Sequence, residues 1–319
     1  MSTFSFTEFD FTLEVVYFLC MAKKKGYVLL IILASILWSL DALVRRELRG
    51  IPASALVTIE YTLRLLILLP WVGRFLPEIR SLRRRDWGIM LAMGILSGAI
   101  GTILFTAALA KVNDISYSVV ALLQQTQPFF AVLLAVLILK EKLTPRFAAL
   151  GLVALTAAYF LAFPDFRPTF LGNSGELTAA LLALGAAAAW GSGTVLSKLM
   201  LSKLSYAATA ILRFAITVPT VMAIALFTGQ TYTLGAVTAY QWGLILFIAV
   251  FGGVAAFMFY YKGLQQTEAK VSTFAELTYP LTATLIGFSF LGERFTGIQM
   301  IAAAVLLVSI LSISLGKND

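Results

Sequence analysis

The chain has 319 residues, of which 60% are apolar and 13% are charged, whereas about 25% of the residues of soluble domains are charged. The apolar residues recur in blocks of roughly 20, the length that crosses the hydrocarbon layer of a membrane. The formal net charge of +8 could by itself suggest a nucleic-acid partner. The chain has no histidine and a single cysteine, Cys20, which excludes histidine metal sites and an intramolecular disulfide. We therefore expect no metal and no cofactor.

The first 20 residues differ from the rest of the chain. They carry Glu8, Asp10 and Glu14 but no lysine or arginine, whereas a signal peptide begins with basic residues. Met21 opens a basic stretch that leads into the first apolar segment. We interpret residues 1–26 as a cytoplasmic N-terminal extension, and we expect residues 1–20 to be dispensable.

Ten apolar segments follow, separated by turn-forming or charged residues. Their approximate ranges are 27–44, 53–72, 87–110, 115–139, 146–163, 177–200, 206–228, 240–263, 271–290 and 297–315. The longest connections between them leave no room for a soluble domain. The sequence therefore predicts an all-α membrane protein with ten transmembrane helices.

The lysines and arginines predict the orientation, because they concentrate in cytoplasmic loops. With the N-terminus inside, the inner side holds 16 of the 24 basic residues and the outer side holds 6, while Arg64 and Arg213 lie within helices. The outer six are Arg45, Arg46, Arg49, Lys111, Arg167 and Arg294. Both termini are thus predicted to be cytoplasmic, and the basic excess needs no nucleic-acid partner.

Charged residues occur within the first two segments, although each charge costs about 2.5–3.5 kcal/mol at the centre of a membrane helix. Asp41 shares a face with Trp38 and Arg45. It either pairs with Arg45 at the membrane interface or forms the rim of an outward-facing cavity. In the second segment, Glu60 and Arg64 share a face at i, i+4 spacing. They either form a structural ion pair, or Arg64 exchanges Glu60 for a solute carboxylate.

Small residues recur at helical spacing in the third and sixth segments, a pattern that favours close contact between membrane helices. The two stripes are Gly94, Gly98 and Gly101, and Gly185, Ala189 and Gly193. We expect them to build the scaffold and not to bind a solute.

A polar run lies at the centre of the fourth segment. It consists of Gln124, Gln125, Thr126 and Gln127, and we expect Pro128 to end the helix there. Proline leaves a backbone carbonyl one turn earlier without its helical donor, and in a membrane that carbonyl needs protein, water or ligand as a partner. The glutamines either line a water-filled pocket or hold helices together.

Aromatic residues are candidates for the wall of a binding cavity. Trp38 and Trp190 lie at mid-depth in the first helix of each half, and we expect both to line such a cavity. Tyr260 and Tyr261 lie closer to the end of the eighth segment, where aromatic side chains usually form an interfacial belt. We therefore favour the two tryptophans over the two tyrosines.

Arg213, in the seventh segment, has no acidic neighbour at helical spacing. It either extends towards the cytoplasm or pairs with Glu276 of the ninth segment. That segment repeats the pattern of the fourth, since Ser272, Glu276 and Tyr279 form one polar stripe before Pro280.

The second half of the chain repeats the first. Four residue pairs share an offset of 152, and Arg64 and Arg213 differ by 149. The four pairs are Trp38 with Trp190, Pro128 with Pro280, Glu141 with Glu293 and Thr144 with Thr296. Because five helices per half reverse the direction of entry, the sequence predicts two inverted five-helix repeats, residues 27–163 and 177–315.

This doubled pattern resembles the EamA family of the drug/metabolite transporter superfamily. The resemblance is carried by a tryptophan late in the first helix of each half, a proline in each fourth helix and a short glutamate-containing turn, at 139–144 and 291–296, before each fifth helix. It implies an inner-membrane carrier of amino acids, other small metabolites or drugs, and often an exporter.

We therefore predict secondary-active export of a small organic metabolite, such as an amino acid, by alternating access. Alternatives are proton-coupled efflux of drugs or cations, with Glu60, Glu276 or Asp41 carrying the proton, and flipping of a lipid-linked substrate. The expected partners are the solute and membrane lipid, with protons as a candidate coupling ion and no nucleic acid, while the oligomeric state is left open. No signal for catalysis or for a nucleotide-binding loop is present. The predicted binding residues are Trp38, Glu60, Arg64, Gln124, Gln127, Trp190, Arg213, Glu276 and Tyr279.

Overall fold

The computed structural model describes residues 26–45, 47–48, 50–110, 123–124, 126–162, 174–230, 237–291 and 296–315. The predictions for the N-terminal extension, for Gln125 and for Glu293 lie outside these ranges. The same is true of Arg46, Arg49, Lys111, Arg167 and Arg294 from the topology argument. Throughout the described ranges the regular elements are helices, with no strand.

The helices alternate with short turns along the described chain. They are α1 (Gly26–Arg45), α2 (Ala53–Arg80), α3 (Arg84–Ala110), α4 (Gln127–Leu139), α5 (Pro145–Ala162), α6 (Ser174–Leu201), α7 (Tyr206–Phe227), α8 (Ala239–Gln266), α9 (Ala269–Ala275), α10 (Thr278–Leu291) and α11 (Gly297–Leu315). The second predicted segment is longer than expected, because a 3₁₀ turn at Leu69–Trp71 carries α2 on to Arg80.

Six helices of the described chain are long and apolar enough to cross a membrane: α1, α2, α3, α7, α8 and the Leu177–Leu201 part of α6. Three shorter apolar helices are α4, α5 and α11, over Gln127–Leu139, Pro145–Leu161 and Gly297–Ile313. The fold is therefore that of an all-helical membrane protein, and the count of ten spans stays a prediction.

Many large apolar side chains lie on the surface of the molecule, and several charged side chains are buried. Large apolar residues such as Phe227 and Ile301 are 91% and 69% exposed, while Glu60 and Arg213 are 0% and 4% exposed. Contiguous exposed apolar surface of this kind marks contact with an apolar environment. The buried charged groups lie where they can pair with one another.

The two prolines lie in the first turns of helices. Residues 123–124 are helical and Thr126 lies in a turn, so a helix break is present beside Pro128, and Pro128 belongs to the helix that follows it. Pro128 lies in the first turn of α4, after a turn at Thr126. Pro280 lies in the first turn of α10, after α9 has ended at Ala275. The first helical turn suits proline because its backbone N–H groups have no partner within the helix. The ninth predicted segment is therefore two helices, and Glu276 lies at the break.

Two helices contain a widened π-helical stretch, at Met93–Ile100 in α3 and at Ile248–Ala255 in α8. Both stretches contain glycines that lie against a neighbouring helix. A Cβ atom at Gly98 would overlap Thr217 of α7, and one at Gly193 would overlap Ser97 of α3. The predicted role of the small-residue stripes as close helix contacts is confirmed.

Helices from the two halves pack against each other along the described chain. α2 packs on α7, α4 on α9 and α5 on α11, while α3 lies against α6 and α7. α1 packs on α8, where the backbone of Gly263 lies against Ile31. The polar residues of both halves are thereby brought to the middle of the molecule.

Candidate functional site

A cavity lies between α1, α2, α3, α4, α6, α7, α8, α9 and α10, so both halves contribute to it. Its volume is about 130 Å³, which is several times the space that one water molecule needs, roughly 10–15 Å³ on the same measure. Eight of the nine predicted binding residues line the cavity: Trp38, Arg64, Gln124, Gln127, Trp190, Arg213, Glu276 and Tyr279. Glu60 lies just behind the wall, where it holds two of the lining arginines.

Four charged residues form a buried cluster on one side of the cavity. Arg45 donates to Glu60 at 2.8 Å and to Asp41 at 3.0 Å, and Arg64 donates to Glu60 at 3.2 Å. The predicted pairs of Asp41 with Arg45 and of Glu60 with Arg64 are both confirmed. Two cations face two carboxylates, so the formal charges within the cluster cancel.

The topology count placed Arg45 in an outer loop, but the structure places it in a helix, inside the molecule. It is 5% exposed at the end of α1 and also donates to Thr106 of α3 at 3.1 Å. Sequence reasoning missed its link to Glu60, because the two residues lie on different helices and no local spacing relates them. Burial is tolerated because both carboxylates compensate the guanidinium charge.

Arg213 makes neither of the contacts that the sequence suggested. It is 4% exposed, so it does not extend to the surface. It donates to the Tyr261 hydroxyl and to the Ser97 carbonyl, both at 2.9 Å, and its guanidinium lies 4.6 Å from the centre of the Phe257 ring. Among the described residues it has no ion pair within 4 Å, with Glu276 or any other carboxylate.

Glu276 lies in the cavity at the break between α9 and α10. Its carboxylate accepts hydrogen bonds from Tyr260 at 2.9 Å and from the Gln127 amide at 2.8 Å, and its backbone carbonyl accepts one from Ser35 at 3.3 Å. Tyr260 in turn shares a hydrogen bond of 3.0 Å with Thr194. Helices α1, α4 and α8 thus bond to Glu276 directly, and α6 is linked to it through Tyr260.

The two tryptophans contact the opposite half in the same way. Trp38 donates its indole N–H to the Gly252 carbonyl of α8 at 3.0 Å, and Trp190 donates to the Ser97 carbonyl of α3 at 3.1 Å. Both acceptors lie in the π-helical stretches. A widened turn leaves carbonyl groups available for such side-chain donors.

Aromatic rings line two walls of the cavity. Trp38 packs against Phe257 and Tyr260, with ring centres 5.5 and 5.1 Å apart, and Trp190 packs against Phe105 at 5.0 Å. All five rings line the cavity. The expectation that both tryptophans would line it therefore agrees with the structure.

Tyr260 and Tyr261 are not interfacial belt residues. They are 4% and 0% exposed, and their hydroxyls hold Glu276 and Arg213. The signal that could have placed Tyr260 is the spacing of Gly253, Phe257 and Tyr260, which puts all three on one face of α8.

Charged side chains also hold the turn between α8 and α9. The Glu141 carboxylate, in the turn before α5, accepts the backbone N–H groups of Ala269 at 2.7 Å and Lys270 at 3.0 Å. The Lys198 ammonium donates to three carbonyl groups at the end of α8, those of Leu264, Gln265 and Thr267. A carboxylate at a helix start and a cation at a helix end both complement the helix dipole. The glutamate-containing turn thus acts as a cap for a helix of the other half.

The sequence matches the profile of the EamA-like transporter family twice, over residues 25–163 and 177–315. The chain belongs to this family. A riboflavin transporter of Fusobacterium nucleatum subsp. nucleatum is 32% identical over 90% of this chain and 96% of its own length. An uncharacterised transporter of Bacillus subtilis is 25% identical over 92% of this chain and 95% of its own length. A chain in a solved crystal structure superimposes with a TM-score of 0.71 at 17% identity, over 90% of this chain and 96% of that one.

These comparisons agree with what the helices and the cavity indicate. The family and the similar proteins are transporters, and six helices of the described chain are suited to crossing a membrane. This EamA protein is therefore a multi-pass membrane transporter of small molecules. The identity of the solute and the mechanism are matters for proposal.

Proposed function

We propose that this EamA protein carries an uncharged organic solute with a flat aromatic ring system, and that riboflavin is the first solute to test. The observation that carries the proposal is the pair of aromatic walls, Trp38 with Tyr260 and Phe257 on one side and Trp190 with Phe105 on the other. Flat rings stack favourably on aromatic side chains. The 32% identity with a protein named as a riboflavin transporter supports the same solute.

The charge distribution also supports an uncharged solute. Arg64 is engaged by Glu60, and Glu60 is engaged again by Arg45. For Arg64 to exchange Glu60 for a solute carboxylate, one buried carboxylate would lose a partner, which typically costs about 3–5 kcal/mol. Polar side chains without formal charge, such as Gln127, Thr102 and Thr194, line the rest of the cavity and suit hydroxyl and carbonyl groups.

An amino acid is the second candidate, because the cavity also holds a cation and a carboxylate that are in no ion pair among the described residues. These are Arg213 and Glu276. The carboxylate of an amino acid would lie at Arg213 and its ammonium group at Glu276.

For the mechanism, we propose alternating access between two inverted halves of five spans each, residues 27–163 and 177–315. Three features support this arrangement: the reciprocal contacts of Trp38 and Trp190, the packing of α2 on α7 and α4 on α9, and the helix break beside the cavity at Glu276. Broken helices at the centre of paired repeats are common in secondary transporters. Export across the inner membrane, with both termini in the cytoplasm, remains our prediction.

Transport in proteoliposomes tests the proposal. The purified protein would be reconstituted and given labelled riboflavin, labelled amino acids, a cationic dye and a fluorescent lipid in parallel. We expect exchange of labelled riboflavin that excess unlabelled riboflavin suppresses. Transport of the amino acids, the dye or the lipid without transport of riboflavin would overturn the riboflavin proposal.

A matched pair of variants tests the aromatic wall. Trp190→Ala removes a ring from the cavity, and we expect riboflavin exchange to fall about tenfold or more, since a stacked aromatic pair contributes about 0.5–1.5 kcal/mol beyond its buried area. Phe227→Ala removes a ring that is 91% exposed on the outer surface, and we expect exchange to be unchanged. Equal losses in both variants would show that the effect is not due to the cavity.

A further inference from the structure

The two halves use their counterpart arginines differently. Arg64 of α2 bonds to Glu60 and belongs to a cluster whose charges cancel. Arg213 of α7, its counterpart in the second half, donates to the hydroxyl of Tyr261 and to the carbonyl of Ser97, and both of these acceptors are uncharged. Arg213 is therefore the cavity-lining arginine whose charge no carboxylate of the described chain neutralises at contact distance.

The hydrogen bonding of Arg213 is also incomplete. Its two terminal nitrogens have acceptors, but its Nε–H is buried and, like the Nε–H of Arg64, has no hydrogen-bond partner among the described residues. The two arginines therefore differ in the neutralisation of their charge and not in this open donor. A buried cation without a counter-ion is costly in a medium of low dielectric constant. A group that enters the cavity with an accepting oxygen would supply what the guanidinium lacks.

The surroundings of Arg213 hold its side chain in one orientation. The Phe257 ring lies 4.6 Å from the guanidinium carbon, and Tyr261 fixes one terminal nitrogen. The Ser97 carbonyl accepts from Arg213 and also from Trp190, one of the aromatic wall residues. A donor held in this way is pre-organised, which reduces the entropy lost when a ligand binds.

We propose that Arg213, and not Arg64, anchors the solute by binding an accepting oxygen, either a carbonyl or a carboxylate. The inference rests on the proposed transport function and assigns, within that cavity, the residue that fixes the solute's orientation. In riboflavin the acceptor is a ring carbonyl, and in an amino acid it is the carboxylate. Tyr261 acts as a positioning residue, because it holds the guanidinium in place.

Equilibrium binding to the purified full-length protein tests the anchor. We expect Arg213→Gln to raise the Kd for riboflavin about 10- to 100-fold, the range of one lost hydrogen bond to a charged group. Arg213→Lys keeps the positive charge but loses the planar set of N–H donors of the guanidinium, so it should raise the Kd by a smaller factor. The matched control is Arg80→Gln, the same change at an exposed arginine, and its Kd should equal that of the unaltered protein.

The unfolding temperature of Arg213→Gln shows whether this variant folds. If it does not fold, a second variant provides the test. Tyr261→Phe leaves the charge in place and removes one positioning hydrogen bond, so Kd should rise while the protein remains folded. An unchanged Kd in Arg213→Gln, or in Tyr261→Phe if the former does not fold, would overturn the proposal.

Labelled amino acids form the second arm of the experiment. If the unaltered protein binds glutamine or glutamate but not riboflavin, and Arg213→Gln weakens that binding, the riboflavin proposal fails and the anchor stands. If the protein binds only a cationic dye or a lipid, or none of these probes, the anchor is wrong, because every acceptor-bearing solute tested has failed to use it.

Discussion

Glu60 accepts hydrogen bonds from Arg45 at 2.8 Å and from Arg64 at 3.2 Å, and it is fully buried. Asp41 completes the cluster through Arg45. Each of these charges would be expensive alone inside a membrane protein. Because they neutralise one another, the cluster contributes rigidity to α1 and α2 without giving the cavity wall a net charge. In the function that we propose, the solute therefore bonds to Arg213, Glu276 and the uncharged groups of the cavity.

The first prediction at this scale concerns Glu60→Gln. The substitution keeps the shape of the side chain but leaves two arginines with one carboxylate, and breaking a buried pair typically costs about 3–5 kcal/mol. We expect a clear fall in the unfolding temperature of the protein in detergent. Glu47→Gln is the matched control, because Glu47 is exposed, and its unfolding temperature should not change. A similar small shift in both variants would mean that the cluster adds little stability.

At the scale of elements, the π-helical stretches of α3 and α8 and the break between α9 and α10 shape the cavity. The widened turns expose the carbonyls of Ser97 and Gly252 to the tryptophan of the opposite half. Glycine at 252 and 253 also leaves room for the charged cluster, since a Cβ at these positions would overlap Asp41 and Arg64. The helical elements are therefore adapted to the site and do not serve only as membrane spans.

Gly253→Ala tests this close approach. The added methyl group would push against Arg64, and overpacking of this kind usually costs about 1–3 kcal/mol. Gly243→Ala is the matched control on the same helix, because a Cβ at Gly243 meets nothing within 4 Å. Alanine favours helix over glycine by up to about 1 kcal/mol, so the control should keep or raise the unfolding temperature while Gly253→Ala lowers it. Equal stability of the two variants would contradict the packing argument.

Glu141→Gln tests the cap on α9. The carboxylate accepts two backbone N–H groups at the start of that helix, and a charge-assisted hydrogen bond contributes about 1.5–3 kcal/mol. We expect faster hydrogen exchange of the amides of residues 269 and 270, measured by mass spectrometry of the purified protein. Lys142→Gln alters an exposed residue of the same turn and should leave that exchange unchanged. Unchanged exchange in Glu141→Gln would show that the cap is dispensable.

At the scale of the whole molecule, the same contacts recur in both halves. The family profile matches the chain twice, and the tryptophan of each half bonds to the third helix of the other. The halves differ in the chemistry of their arginines, since Arg64 pairs with a carboxylate and Arg213 pairs with none among the residues that the structure describes. The two halves share one scaffold but differ at this pair of counterpart arginines. In the function that we propose, this difference gives the solute a single orientation.

Reporter fusions test the predicted topology of ten spans with both termini inside. Green fluorescent protein at residue 319 should fluoresce, and alkaline phosphatase at the same position should be inactive. Alkaline phosphatase fused after residue 167, in the connection between the halves, should be active. An active phosphatase at residue 319 would require either an odd number of spans or both termini outside, and either result would contradict the predicted topology.

Much of the site could be read from local spacing. The i, i+4 pair of Glu60 and Arg64, and the mid-depth positions of Trp38 and Trp190, follow from helical periodicity, which the sequence shows directly. Arg45 was misplaced because a terminal arginine of a helix is usually exposed, and nothing nearby in the sequence reveals its bond to Glu60. Tyr261 was assigned to the interfacial belt for a similar reason, since its partner Arg213 lies 48 residues away along the chain.

The sequence by itself predicted that this protein lies in a membrane, where its helices approximately are, that the chain is doubled, and eight of the residues that line the cavity. Composition and helical period are local properties, which is why they carry this information. The tertiary structure decided which charges meet. It paired Arg45 with Glu60, placed Arg213 among uncharged acceptors and put Glu276 at a helix break between Tyr260 and Gln127. Those outcomes depend on contacts between distant helices, and the free energy of a buried charge is set by its neighbours in space and not by its neighbours in sequence.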